Sequence, residues 1–329
     1  MIQDLFIPEE WERLNDHFRT HLKVPGDQLI KFYRGLGHAV YEMSMGTSQF
    51  YSHKRSVGFV KGNSPYFEFL IPNYLREAYQ IQSMDLNSLQ QHHASWTEWA
   101  NTLKKDTVFV IASEDHPVTG ELQDLEELDA ILNEKKIFFL RISHSSHLFH
   151  PIELKPYTVR ICSLSRELSL VLMGAKFKVP PVVAQVMSWS TKEAQSSLRN
   201  LQNKKEFPKE IQKFESEMTE FSYPWSDAKR IYDRSLLVFP GVTGDLMTHA
   251  LSKALGFSAS TSLSLNLWST HLCQWNSVKM FKNWWKLSPA DDLLRDLLIM
   301  SPDVIQRNGF AEVARKTYEE LKSSQTWKF

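Results

Sequence analysis

The chain alternates between short runs rich in apolar residues and longer stretches in which apolar residues recur at helical spacing. The short runs are bounded by polar or turn-forming residues, so they predict strands, and the stretches between them predict helices. The predicted strands are SVGFV (56–60), QIQSM (80–84), TVFVIA (107–112), KIFFLRI (136–142) and YTVRICS (157–163). Strands that alternate with helices in this way predict an α/β fold: a mostly parallel sheet with helices on both faces.

Further patterns flank this central region. Residues 8–22 predict an N-terminal helix with Asp27–Met43 as its partner, and residues 309–324 predict a last helix. A strand at 235–240 and a helix at 244–256 follow one another near the C-terminal end. These elements predict a second, smaller α/β domain.

The composition excludes several classes of function. The 329 residues include 38 basic and 38 acidic side chains, and this balance favours neither nucleic acid nor an anionic membrane as a partner. The sequence shows no signal peptide and no apolar run long enough to span a bilayer, so a cytoplasmic location is expected by default. Two cysteines, Cys162 and Cys273, are too few for a disulfide scaffold or a four-thiolate metal site.

Four stretches carry candidate chemistry. The loop SEDHPVTGE (113–121) has the Pro, Gly and polar side chains of a tight turn between a strand and a helix. The others are NSPYFEF (63–69), IFFLRISH (137–144) and CSLSRELSLVLMGAKF (162–177). In this order, the four stretches resemble motifs of the pyridoxal-phosphate-dependent aminotransferases of the aspartate aminotransferase fold, most closely the histidinol-phosphate aminotransferase type.

The resemblance implies cofactor-binding roles for several residues. Phe67 stands where the family's aromatic ring stacks on the cofactor, and Asp115 and His116 stand in the loop that resembles the family's Asn-Pro-Thr-Gly turn. Ser163 lies in the segment that carries the family's Schiff-base lysine, and Lys176 takes the place of a phosphate-binding arginine further along it. Pyridoxal phosphate is accordingly the cofactor that the resemblance implies.

Two positions depart from the family pattern. Arg166 stands where the Schiff-base lysine is expected, and a guanidinium stays protonated and is a poor nucleophile. Arg141 stands where an aspartate pairs with the pyridine nitrogen, and a cation there disfavours the protonated ring. Together these changes predict a catalytically degenerate protein that binds an anionic small molecule or a protein partner. The alternative is an active enzyme that uses another lysine, such as Lys176 or Lys178.

The same residues also have structural interpretations. Asp115 and His116 can shape the turn or cap the following helix, and Phe67 can belong to the core. Arg141 and Arg166 form either an anion pocket or salt-bridged replacements in a decayed site. The sequence alone leaves both interpretations open.

Two features lie outside the resemblance. The histidines at 144, 147 and 150 have a spacing that aligns imidazoles only on a helix, and no nearby acid or cysteine completes a metal site, so no metal is predicted. The tryptophan-rich run 281–289 is either a partner surface or a packing contact of the small domain.

The resemblance also implies the organisation of the chain. Residues 1–29 are expected to form a helical segment that packs on the small domain, residues 30–229 the large α/β domain and residues 230–329 the small one. Members of this family build the cofactor site at a two-fold interface, so a homodimer is expected.

Overall fold

The computed structural model describes most of the predicted elements. The described residues are 28–51, 55–61, 79–85, 95–115, 122–143, 154–163, 168–177, 207–221, 235–256, 263–264, 297–300 and 309–324, with a few isolated positions such as Phe18 and Arg19. Among these residues, no helix combines the length and the hydrophobicity needed to cross a membrane.

A seven-stranded sheet forms the centre of the first part of the chain. Its strands are β1 (Leu29–Arg34), β2 (Ser56–Lys61), β3 (Gln80–Asp85), β4 (Thr107–Ser113), β5 (Phe138–Ser143), β6 (Thr158–Ser163) and β7 (Leu168–Met173). Their order is β1-β7-β6-β5-β4-β2-β3. The strands from β2 to β6 pair in parallel, whereas β7 is antiparallel to both of its neighbours. This arrangement confirms the predicted mostly parallel sheet.

Helices cover both faces of this sheet. They are α1 (Gly35–Phe50), α2 (Trp96–Thr102) and α3 (Glu126–Glu134). The α1 residue Met43 shares one apolar core with Leu140 and Val171, while Leu128 of α3 shares another with Trp99 and Phe139. Because successive strand residues point to opposite faces, Phe139 and Leu140 belong to different cores. β4 is buried along its whole length, as expected for a strand covered on both sides.

Two strands of the seven-stranded sheet were not predicted. The prediction of a helix over Asp27–Met43 is wrong for its first part, because Leu29–Arg34 is β1 and the helix begins at Gly35. The residue Gly35 has φ 71°, a left-handed conformation that lets the chain turn directly from strand to helix. β7 lies inside the stretch 162–177, which was interpreted by its motif rather than by its alternation.

The C-terminal part of the chain forms a second α/β unit. Its strands β8 (Ser235–Val238), β9 (Leu263–Ser264) and β10 (Leu297–Met300) form an antiparallel sheet in the order β8-β10-β9. Its helices are α4 (Phe207–Glu217), α5 (Gly244–Leu255) and α6 (Phe310–Ser324). Their apolar sides surround a core that includes Phe214, Phe239, Met247, Leu298 and Phe310. The predicted smaller α/β domain is therefore present.

Residue contacts divide the chain into two compact units. One comprises Met1–Pro117 with Gln123–Lys205, and the other Val118–Leu122 with Glu206–Phe329. The division after Lys205 precedes the predicted boundary at 229, because α4 packs into the second core. In the first unit, Phe18 contacts the Phe32 ring. The roles assigned to residues 1–29, 30–229 and 230–329 stay a prediction.

Candidate functional site

Polar side chains gather at one rim of the seven-stranded sheet. β1, β4, β5 and β6 run in the same direction, so Arg34, Ser113, Ser143 and Ser163 end their strands at this rim, and Leu168 begins β7 there. We call this rim the carboxyl edge. Ligands of open parallel sheets bind outside the carboxyl ends of the strands, so it is the candidate site.

Two arginines lie side by side below the carboxyl edge. Arg141 of β5 and Arg160 of β6 are register partners, and both point to the face covered by α3. Glu114, directly after β4, joins them: one carboxylate oxygen accepts from Arg141 Nε at 2.7 Å, and the other accepts from Arg160 Nε at 2.9 Å. All three side chains are buried, with at most 6% of their surface exposed.

The helix α3 supplies further partners for Arg141. The Nη1 group of Arg141 donates to Glu126 at 3.0 Å and to Asp129 at 3.2 Å. Asp129 also accepts hydrogen bonds from the hydroxyl of Thr158 at 2.5 Å and from the amide of Asn133 at 2.9 Å. The network therefore ties β4, β5, β6 and α3 together.

Lys155 completes the set of charges, with its Nζ atom 3.9 Å from Asp129. We call Glu114, Glu126, Asp129, Arg141, Lys155 and Arg160 the ion cluster. It contains three cations and three anions, so its formal charges cancel. Buried charges are stable only when they are paired and hydrogen-bonded in this way.

The ion cluster changes the acidity of its members. Burial raises the pKa of Asp129, although Thr158 and Arg141 act in the opposite direction. Burial by itself lowers the pKa of Arg141, but Glu114 and the two carboxylates of α3 raise it above its ordinary value. Arg141 therefore stays charged. Next to the cluster, burial raises the pKa of the Cys162 thiol to about 12, so this buried cysteine is an unreactive thiol.

A second group of polar residues lies on the opposite face of the sheet, at the same edge. Ser169 of β7 pairs in register with Tyr33 of β1 and with Ser163 of β6. It shares its face with Val171, and therefore with α1. Its hydroxyl is fully buried and has no hydrogen-bond partner among the described residues.

The first turn of α1 lies beside this group. The ring of His38 packs edge-on against the ring of Tyr33 with their centres 5.8 Å apart, and α1 packs on β1, β6 and β7. The first backbone N–H groups of a helix have no acceptor within the helix and attract anions. Sequence reasoning missed Ser169 and assigned no role to this turn, although the two glycines of RGLGHAV (34–40) were a signal that could have found the turn.

Three of the predicted site residues lie at or next to the carboxyl edge. Ser163 ends β6 there, and Asp115 is fully buried just after β4, where its carbonyl oxygen accepts from the Ser113 hydroxyl at 2.9 Å. Arg141 is also near the edge, but three carboxylates occupy its guanidinium. Of the two interpretations of Arg141, the geometry favours the salt-bridged replacement over the anion pocket. Glu114, which makes this pairing possible, was not singled out from the sequence.

Lys176 lies at the other rim of the sheet. β7 runs antiparallel to β6, so it carries the chain away from the carboxyl edge, and the Lys176 amide donates to the carbonyl of Pro156, ahead of β6. The six residues of β7 span five intervals of about 3.3 Å, so the two rims are roughly 17 Å apart, which is more than a lysine side chain can reach. The structure does not support the predicted phosphate contact of Lys176 or its use as an alternative Schiff-base lysine.

The remaining predicted residues lie outside the described part of the chain. These are Phe67, His116, Arg166 and Lys178, together with the histidines at 144, 147 and 150 and the run 281–289. β6 ends at Ser163 and β7 begins at Leu168, so the two residues that flank 164–167 both lie at the carboxyl edge. Within the described residues, no group of His, Cys, Asp and Glu side chains could hold a metal ion.

Comparison with known proteins identifies the fold. No protein-family model matches the sequence, and no curated relative matches it. A solved structure titled NifS-like protein has a TM-score of 0.68 at 10% identity, covering 96% of this chain and 88% of its own. The histidinol-phosphate aminotransferase from Clostridium acetobutylicum has a TM-score of 0.58 at 11% identity, and the match covers 96% of this chain and 90% of that enzyme. DndA from Streptomyces lividans has a TM-score of 0.59 at 10% identity, and the match covers 89% of this chain and 87% of DndA. These structures have the type I fold of pyridoxal-phosphate-dependent enzymes, and so has this chain.

Proposed function

We propose that this chain, which has the type I fold of pyridoxal-phosphate-dependent enzymes, is a catalytically degenerate relative that binds a phosphate-bearing small molecule without a covalent bond. The observation that carries the proposal is the pairing of the buried Arg141 with three carboxylates, of which Glu114 and Asp129 are buried as well. The resemblance assigns position 141 to the partner of the pyridine nitrogen. In this chain it holds a cation that is built into the scaffold.

The covalent form of pyridoxal phosphate does not fit these residues. Arg141 keeps its charge, and the resemblance places it at the position that pairs with the pyridine nitrogen, where a cation disfavours the protonated ring. Arg166 occupies the sequence position of the Schiff-base lysine and has no nucleophilic amine. Lys176 lies at the opposite rim of the sheet. We therefore propose no step that passes through this cofactor.

The first turn of α1 and the serines near it carry groups that can bind an anion. The first turn of α1 supplies backbone N–H groups, and Ser163 and Ser169 are register partners on β6 and β7, two strands on which α1 packs. A buried hydroxyl without a partner costs free energy that a bound acceptor would recover. We propose that a phosphate group binds here and that Ser169 donates to one of its oxygens.

Two measurements test this function. Equilibrium dialysis with pyridoxal phosphate, and competition by inorganic phosphate, should show reversible binding. Mass spectrometry after borohydride treatment should show no pyridoxyl adduct on the protein. An adduct on any lysine of the wild type, or measurable transamination, would refute the proposal. Arg166→Lys is expected to allow an adduct at position 166 without restoring turnover, since Arg141 is unchanged.

A matched pair of variants tests the phosphate contact. Ser169→Ala should weaken binding roughly tenfold, because one charge-assisted hydrogen bond is lost. Ser44→Ala is the control, since the hydroxyl of Ser44 is also buried without a partner among the described residues but lies farther along α1. Equal affinities of the two variants would exclude Ser169 from the site.

A further inference from the structure

Exposed cations gather at the rim of the seven-stranded sheet opposite the carboxyl edge. We call this rim, where β2, β4, β5 and β6 begin, the amino edge. Exposed basic residues directly precede β2, β4 and β5, and Lys176 lies beside the start of β6, because its amide donates to the carbonyl of Pro156. We call the following residues the cation row: Arg55, Lys104, Lys105, Lys135, Lys136 and Lys176.

Few negative charges balance the cation row. None of its six members forms an ion pair with a carboxylate among the described residues, and Lys104 and Lys135 donate instead to neutral side-chain amide oxygens. The described carboxylates next to these residues in the sequence are Asp106 and Glu134, so six cations and two anions leave four excess positive charges. The overall balance of 38 basic and 38 acidic residues conceals this segregation.

The ends of helices offset only part of this charge. α1, α2 and α3 all end at the amino edge, and a helix places about half a negative charge at its C-terminus, where cations are favourable. The three helix ends therefore offset no more than about 1.5 of the four excess charges. The amino edge keeps a positive field that attracts a polyanion.

The cation row matches the spacing of charges on a nucleic-acid strand. It extends from the start of β6 across β5 and β4 to β2, and neighbouring strands lie about 4.8 Å apart, so the row is roughly 14 Å long. A nucleic-acid strand carries one negative charge about every 3.4 Å along its axis. About four phosphates would therefore lie along the row.

Partly exposed rings lie beside the cation row. The rings of Tyr51 and Tyr157 pack against Phe138, the first residue of β5, with ring centres 5.2 and 5.4 Å from its own. Neither tyrosine is fully buried, and the exposed ring of His53 lies 6.4 Å from the ring of Tyr51. Single-stranded nucleic acids bind to such surfaces, because their phosphates meet the cations while their unpaired bases stack on the rings.

We infer that the amino edge binds single-stranded nucleic acid, with its phosphates on the cation row and its bases on the neighbouring rings. The rings favour this partner over an acidic protein or an anionic membrane, which would use the charges alone. The inference is independent of the proposed phosphate site, which lies at the carboxyl edge.

Fluorescence anisotropy with labelled single strands of roughly 12 nucleotides, one of DNA and one of RNA, measures this binding. With about four phosphate contacts, the logarithm of the affinity should fall against the logarithm of the salt concentration with a slope of about −3. The triple variant Lys105→Gln/Lys136→Gln/Lys176→Gln removes half of the cation row. It should roughly halve this slope and weaken binding about tenfold at low salt. His53→Ala should weaken binding roughly fivefold, because a stacking ring is lost.

Two further triple variants are the controls. Lys209→Gln/Lys253→Gln/Lys316→Gln removes three exposed lysines from helices of the second unit, and it should leave binding unchanged. Arginine in place of the three lysines at 105, 136 and 176 keeps the charges and should preserve binding. This second control separates the loss of charge from damage to the fold.

The outcomes decide between the possible partners. Binding of the DNA or the RNA strand with these effects supports the inference, and the ratio of the two affinities identifies the preferred nucleic acid. Absence of binding to both strands, or wild-type affinity of the glutamine variant in the cation row, would overturn it. Binding of the corresponding duplex, of a polyglutamate peptide or of phosphatidylserine vesicles as tightly as the single strands would also overturn it.

Discussion

Removal of the charge at Glu114 should destabilise the first unit through Arg160. The side chain of Arg160 is 2% exposed, and Glu114 is the only carboxylate that it contacts among the described residues. The same change removes less stabilisation from Arg141, because Arg141 keeps its ion pairs with Asp129 and Glu126. Breaking a buried ion pair on one side typically costs about 3–5 kcal/mol. Glutamine still offers one acceptor oxygen, so we expect a loss near the lower limit, about 3 kcal/mol.

The double variant Glu114→Gln/Arg160→Met tests this reasoning by a thermodynamic cycle. It removes both ends of the ion pair, so it should be more stable than the sum of the two single changes predicts, by about 2 kcal/mol. Urea unfolding followed by circular dichroism gives the free energies, and hydrogen exchange of β4, β5 and β6 assigns the transition to the first unit. Additive effects, or a loss below about 0.5 kcal/mol for Glu114→Gln, would refute the proposed energetic role.

Three further predictions concern other parts of the chain. Gly174→Ala should destabilise the protein much more than Gly58→Ala, since a Cβ at 174 would lie 2.3 Å from a backbone oxygen, whereas one at 58 meets side-chain atoms; unfolding midpoints compare the two. The thiol of Cys162 ionises near its ordinary pKa of 9.0 when unfolded and near 12 when folded. Stability should therefore fall as pH rises from 9 towards 12, by up to about 1.4 kcal/mol per pH unit, and Cys162→Ala should remove this part of the slope. Light scattering at micromolar concentration should give the mass of a homodimer; a mass near 38.3 kDa would contradict that expectation.

The strands that could be predicted are those whose own sequence determines them. β4 and β5 are buried along their whole length and mostly apolar, and they were recognised from their runs of apolar residues. β1 was assigned to a helix because LIKFYR runs into the helical pattern of α1. Its partner β7 lies far away in sequence, and a single stretch does not reveal such pairing.

The candidate site also depends on contacts between residues that are distant in the sequence, which a single stretch does not reveal. Arg141 was recognised as a departure from the family pattern, but its three partners lie 12, 15 and 27 residues away, outside its own strand. The sequence could therefore not decide between an anion pocket and a salt bridge. Lys176 was placed at the site because it follows the motif closely in sequence. The antiparallel direction of β7 moves it to the other rim, and motif spacing does not report that reversal.

The ion cluster also has a consequence for how the chain is made. Its three carboxylates, at positions 114, 126 and 129, all precede its two arginines, at 141 and 160, in the sequence. During synthesis from the N-terminus, each guanidinium therefore leaves the ribosome after its counter-ions, and the two arginines need not meet as unpaired cations. A circular permutant that begins at β5 would reverse this order of appearance. Such a chain should fold more slowly during translation than the natural order of the same elements.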